Sequence, residues 1–207
     1  MKKTGLIYFV WLQSIMALLL CGVSFAKGDI EAGKSKTQTC VACHGKKGIS
    51  DNPIWPNLAG QHASYLLKQL MDYKKGEHRN DATMAAMVAP LTQQDMEDLA
   101  AYYASLPKAE GTAPKKYIKP GEQLYRGGDI SAHITACIAC HGPNGMGNSQ
   151  ANFPVLSGQH APYVIAQLQL FREGKRSNDL NAIMRDISKR MSKEDMESVA
   201  YYMQGLH

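Results

Sequence analysis

The pentapeptide Cys-x-x-Cys-His occurs twice in this chain, as Cys40-Val41-Ala42-Cys43-His44 and Cys137-Ile138-Ala139-Cys140-His141, at the same place in an internal repeat. No other feature restricts the possible folds so tightly. The pentapeptide is the attachment signature of a c-type haem. The two thiols bond to the haem vinyl groups, and the following histidine offers one axial nitrogen to the iron. Positions i and i+3 share one face of a helical turn, so both sulfurs reach one porphyrin edge. The chain therefore has to wrap a large flat cofactor twice. Other readings account for less. A thioredoxin-like pair needs no adjacent histidine. Zinc ribbons space their cysteine pairs by roughly 15–20 residues, whereas Cys43 and Cys137 lie 94 apart. Short disulfide loops leave both histidines unexplained.

The duplication runs along most of the chain. Gly60-Gln61-His62 matches Gly158-Gln159-His160, and Asn80-Asp81 matches Asn178-Asp179, both at an offset of 98. Thr92-x-x-Asp95-Met96-Glu97 matches Ser192-x-x-Asp195-Met196-Glu197 at an offset of 100, so the small drift falls in loops. This is a duplicated domain, not a solenoid. Each half reads as three principal helices. The first runs from roughly Ile30 to His44, with a counterpart starting near Pro120-Gly121-Glu122. The second runs from about His62 to Lys75, with Leu66, Leu67, Leu70 and Met71 on one face. The third starts at a capping box, Thr92-x-x-Asp95 or Ser192-x-x-Asp195. No segment alternates as a strand, so the class is all-α.

The N-terminus reads as an export signal: Lys2 and Lys3, an apolar run from Leu6 to Leu20, and a small-x-small site at Ser24-Phe25-Ala26. The run is short for a spanning helix, which needs about 20 residues. The expected division is a signal peptide at 1–26, an N-terminal domain at 27–106, a linker at 107–119 and a C-terminal domain at 120–207. Each domain is too small to build a large core from side chains alone and is expected to use its haem as the central apolar body. The formal net charge of +5 becomes +3 without Lys2 and Lys3. Both domains are neutral by count, and the excess lies in Lys108, Lys115, Lys116 and Lys119 against Glu110. No nucleic-acid footprint is present.

A c-type iron needs a second axial partner, and the repeat selects it. Met84 aligns with Met184, each eight residues before the capping Thr92 or Ser192, in a stretch expected to be irregular. Met87 aligns with Ile187, and Met191 with Leu91, so both fail the test of occurring in both halves. Met96 and Met196 fit the apolar pattern of the third helix. His62 and His160 match but read as solvated or capping groups. Thioether opposite histidine favours ferrous iron and leaves no open site.

With these residues in place the sequence resembles the cytochrome c4 family. The resemblance covers nearly the whole chain after the signal. It includes both pentapeptides, the Leu-x-Gly-Gln-His segments at Leu58 and Leu156, and Leu124-Tyr125-Arg126-Gly127-Gly128. It continues through Phe171-Arg172-Glu173-Gly174-x-Arg176-x-Asn178-Asp179 to Tyr202-Met203-Gln204-Gly205-Leu206-His207. It implies two tandem cytochrome c-like domains, pseudo-twofold related, each wrapped round one haem, with the propionates meeting near the interface. It implies covalent attachment through Cys40, Cys43, Cys137 and Cys140, and axial ligation by His44 with Met84 and His141 with Met184. The 124–128 segment is thereby placed near the domain junction, which makes Arg126 a candidate partner for a propionate. The implied role is a periplasmic electron carrier in a respiratory chain, between an upstream quinol-oxidising complex or other cytochrome and a membrane-bound oxidase, with loose membrane association. The runner-up is the cytochrome subunit of a flavin-dependent sulfide dehydrogenase. A dihaem enzyme with a cysteine axial ligand is excluded, because all four cysteines beyond the signal are committed. Family members often carry domains of differing charge, and here neither domain does.

Overall fold

The computed structural model describes residues 28–206; the expected signal peptide lies outside them. The N-terminal half contains α1 (Ile30–Ser35), a 3-10 turn (Thr37–Thr39), α2 (Val41–His44), α3 (Ala63–Lys75), α4 (Ala82–Val88) and α5 (Gln93–Ser105). The C-terminal half contains α6 (Lys115–Gly127), α7 (Ile138–His141), α8 (Ala161–Arg172), a 3-10 turn (Leu180–Ala182), α9 (Ile183–Arg190) and α10 (Lys193–Gln204). Among the described residues β structure is limited to isolated bridges. No helix among them is long and apolar enough to cross a membrane.

The all-α expectation holds, and both capping boxes form. The Thr92 hydroxyl accepts from the Asp95 N–H while Asp95 accepts from the Thr92 N–H, and Ser192 and Asp195 do the same. The expected first helix is instead broken. The Lys36 N–H turns back to the Gly33 carbonyl, and the Thr37 hydroxyl donates to the Lys34 carbonyl at 2.9 Å. A hydroxyl competing for backbone acceptors ends the regular ladder there. The C-terminal counterpart starts at Lys115, inside the stretch expected as linker, and Pro120 lies within it. Tertiary stacking outweighs the proline: the Tyr117 ring lies 4.4 Å from that of Tyr201 on α10, nearly parallel. The remaining connection is held, not free. Ala109 is buried, and the Gln204 side chain donates to the Thr112 carbonyl.

In each half the first helix crosses the last one at a glycine. A Cβ at Gly33 would sit 2.0 Å from the Asp98 carbonyl oxygen, and one at Gly121 would sit 2.3 Å from that of Ser198. Backbone meets backbone at both crossings, so neither side can yield by rotating a side chain. Gly121→Ala is expected to destabilise the protein by about 2 kcal/mol, an overpacking cost. Thermal melting of the holoprotein checks this, and an unchanged midpoint would count against so tight a crossing.

The two cores differ in size. The C-terminal cluster gathers Leu124, Tyr125, Val164, Met196, Val199 and others, whereas the N-terminal one holds only Leu66, Leu99, Ala100 and Tyr103 fully buried. Cys40 packs against the N-terminal cluster, and Cys137 and Ile138 against the C-terminal one.

Candidate functional site: two haem-attachment turns on a shared polar seam

Each pentapeptide folds as a short helical turn closed by glycine. The His44 N–H bonds the Cys40 carbonyl, and Gly45 leaves the helix at φ +75°. Cys137, His141 and Gly142 repeat the pattern. The four cysteines are half-buried free thiols, so no disulfide competes for them. Burial pushes the Cys137 thiol up to about 12 and raises that of Cys40.

Both histidines are buried at 7% exposure. The Nδ1–H of His44 donates to the Pro56 carbonyl at 2.9 Å, and that of His141 to the Pro154 carbonyl at 3.0 Å. With the proton fixed on Nδ1, Nε2 carries the lone pair. Burial holds both imidazoles below their ordinary pKa, partly offset by these carbonyls. They are neutral at pH 7, the form that binds metal. Two thiols one turn apart beside such a nitrogen form the donor set of a c-type haem.

The candidate sixth ligands lie on helices, not in irregular chain. Met84 is half-buried on α4, whose N-cap Asp81 accepts from the Met84 N–H itself. Met184 is half-buried on α9 and packs against the same C-terminal cluster that Cys137 packs against. The capping residue was visible in the repeated Asn-Asp pair, and a seven-residue helix after it was the unread signal. Met96 and Met196 are buried in the helix faces expected of them, and Met87 is 42% exposed.

His62 and His160 stand at the N-cap positions of α3 and α8, but their half-buried side chains make no capping bond. Each crosses to the other domain: His62 Nε2–H donates to the Met146 carbonyl at 2.8 Å, and His160 Nε2–H to the Ser50 carbonyl at 2.9 Å. They belong to a buried polar seam that relates the halves reciprocally. Gln61 donates to the Val155 carbonyl and accepts from its N–H, both at 2.9 Å. Gln159 does the same to Asn57, again at 2.9 Å each way.

Two arginines lie at the same seam. Arg79 and Arg176 are 4% and 6% exposed and pair their backbones across it. Arg79 donates to Tyr163 of the other half at 2.8 Å, and Arg176 to Tyr65 at 2.9 Å. Gln69, Gln167 and Asn178 accept their other bonds, and the rings of Tyr73 and Phe171 cover the guanidiniums. Burial pushes the Tyr73 hydroxyl up to about 12. At Tyr65 burial raises the pKa too, but the charges of Arg176 and Arg79 outweigh it and lower the value. Arg126, expected at the junction, is not there. It lies exposed on α6, pairing with Glu122 at 3.1 Å and the Tyr202 hydroxyl at 3.2 Å. An arginine just before each matched Asn-Asp pair, in Arg79-Asn80-Asp81 and Arg176-Ser177-Asn178-Asp179, was the signal for the arginines that do reach the seam.

Comparison with known proteins agrees with this duplicated arrangement. The cytochrome c family model matches residues 30–107 and 118–207. The chain is 44% identical over 207 residues to the cytochrome c4 of Stutzerimonas stutzeri, covering 96% of this chain and 99% of that one. A thiosulfate dehydrogenase electron acceptor of Thiomonas intermedia is 35% identical over 202 residues, covering 94% and 92%. The crystal structure of reduced recombinant cytochrome c4 from Pseudomonas stutzeri superposes with a TM-score of 0.85 at 47% identity, covering 87% of this chain and all of that one.

Proposed function

This chain belongs to the cytochrome c4 family of dihaem electron-transfer proteins, and from that premise we propose that it carries electrons in the periplasm to a membrane-bound terminal oxidase. Its donor is an upstream quinol-oxidising complex or another cytochrome, and its contact with the membrane is loose. Cys40 and Cys43 hold one haem, with His44 and Met84 as axial ligands. Cys137 and Cys140 hold the other, with His141 and Met184. The observation that carries this reading is the donor geometry, repeated in both halves: two thiols on one turn beside an imidazole whose proton is locked on Nδ1.

When bound, each haem supplies a one-electron iron couple. The chain's own part is to hold and shield it. The prolyl carbonyls keep each imidazole in the ligating tautomer, and burial of His44 and His141 excludes water from that side. A thioether from Met84 or Met184 would favour the ferrous state and complete the iron's donor set. Oxygen and peroxide would then have no open position at which to react, which suits a protein that relays electrons. A second reading of the donor comes from the Thiomonas relative, named as the electron acceptor of a thiosulfate dehydrogenase. A thiosulfate-oxidising enzyme would then reduce this chain in place of a quinol-oxidising complex.

Acid–acetone extraction of the holoprotein is expected to leave two haems on each polypeptide. Release of either haem would refute covalent attachment at that pentapeptide. Oxidation of the reduced holoprotein by oxidase-containing membranes tests the acceptor. Failure there, together with copurification of a flavoprotein, would move the assignment to a sulfide dehydrogenase subunit.

A further inference from the structure

The seam does more than dock two domains. The Pro56 carbonyl that accepts from His44 belongs to the same peptide group as the Asn57 N–H. That N–H donates to Gln159 Oε1 of the other domain at 2.9 Å. The chain of atoms is therefore glutamine oxygen, peptide N–H, peptide carbonyl, imidazole Nδ1–H. The mirror chain is equally complete. Gln61 Oε1 accepts from the Val155 N–H, and the Pro154 carbonyl of that same peptide accepts from His141 at 3.0 Å. Each glutamine also donates its amide N–H to the next carbonyl, that of Asn57 or Val155, at 2.9 Å, so its plane is fixed. Gln61 and Gln159 are themselves buried, at 7% and 8% exposure.

We propose that Gln61 and Gln159 are positioning residues acting in trans, each tuning the proximal histidine of the opposite domain through one shared peptide group. The proposal rests on His44 and His141 being the proximal ligands. The physics is polarisation along a hydrogen-bonded chain in a low-dielectric setting. An acceptor on the peptide N–H makes that peptide's carbonyl a better acceptor. A better acceptor draws more strongly on the imidazole N–H and makes the ring a more electron-rich ligand. Electron-rich ligation favours ferric iron. Removing the glutamine therefore raises the potential of the haem in the other domain and leaves that in its own domain in place. Docking of the two halves thus helps set the potential of each haem through a residue of the other half.

The test uses the full holoprotein with Gln159→Met and Gln61→Met, which keep side-chain length and remove the hydrogen bonds. The readouts are both reduction potentials and the hyperfine-shifted Nδ1–H proton signals of His44 and His141, which tell the haems apart. Ligand hydrogen-bond partners typically weigh 10–100-fold, and these glutamines act one peptide further out. About a threefold change in the redox equilibrium is expected, which at 59 mV per tenfold is about 28 mV. Gln159→Met is expected to raise only the N-terminal potential and Gln61→Met only the C-terminal one, each with a shifted Nδ1–H signal in the affected domain. Ser64→Ala serves as the control: it removes a 2.7 Å bond to the Ser149 carbonyl across the same seam but touches no histidine anchor. It is expected to move neither potential. If Gln159→Met does not fold, Gln159→Glu keeps the acceptor, strengthens it with charge, and is expected to lower the N-terminal potential more than the C-terminal one. Potentials that stay put, move together, fall in the methionine variants or change in the variant's own domain overturn the proposal, as does a Ser64→Ala effect of equal size. Absence of hyperfine-shifted Nδ1–H signals in the parent would instead strike the ligand reading, and the proposal would fall with it.

Discussion

Met84→Ala is expected to convert the N-terminal haem from a six-coordinate, low-spin centre to an open, high-spin one, and Met184→Ala to do the same in the C-terminal domain. The competing methionines are poorly placed for the role. Met87 is exposed and Met96 is buried at 4% exposure in the face of α5. The capping bond from the Met84 N–H to Asp81 fixes where that residue enters α4, and hence which way its thioether can project. Loss of the thioether removes the ligand that favours ferrous iron, so the potential of the altered haem falls. Axial-ligand choice moves haem potentials over roughly 0.8 V in all, and the fall should be a sizeable part of that range. The opened iron should also bind carbon monoxide when reduced, which the parent should not. An unchanged spectrum and no ligand binding in Met84→Ala would remove Met84 from the assignment, and the same holds for Met184.

The second large effect is expected at the seam. Arg79→Met removes the donor to the Tyr163 hydroxyl and one of the three donors to Gln69 Oε1, and it leaves a gap where a guanidinium at 4% exposure had been packed. Hydrogen bonds to a charged group are worth about 1.5–3 kcal/mol each. Relief of repulsion from the nearby Arg176 cation, and of the cost of burying Arg79 itself, returns part of this. A net loss of about 3 kcal/mol is expected, which for a chain of this size lowers Tm by about 6–12 °C. Arg176→Met, which removes the donor to Tyr65 and the shorter of the two bonds to Gln167, should behave alike. Lysine should not rescue either position, because one ammonium cannot span the fork of acceptors. Arg126→Ala is expected to leave the melting midpoint nearly unchanged, since its partner Glu122 is half exposed to water. A midpoint in Arg79→Met that matched the parent would show that the buried guanidiniums contribute little to docking.

What the sequence determined by itself is local. The pentapeptides set two thiols and an imidazole on one turn. The capping boxes started α5 and α10 where Thr92 and Ser192 stand. Apolar spacing marked α3 and α8, and the repeat marked the duplicated fold. All of these depend on residues within a turn or two of each other, where dihedral preferences and side-chain spacing decide the outcome. Even there, competition blurred the edges. A threonine hydroxyl broke the first helix at Lys36, and the Tyr117–Tyr201 stack carried α6 back through an expected linker.

Only the tertiary structure decided the seam. Gly-Gln-His and Asn-Asp were legible as matched words, but a match does not say what a side chain touches. Gln61 finds Val155 and Gln159 finds Asn57, while Arg79 and Arg176 trade tyrosines across the junction. Arg126, equally basic and equally part of a glycine-rich segment, stays in solvent. The partners lie some hundred residues apart in the chain. No local propensity selects them; they meet because two folded halves must bury their polar groups against something, and each half offers the other the same complementary set.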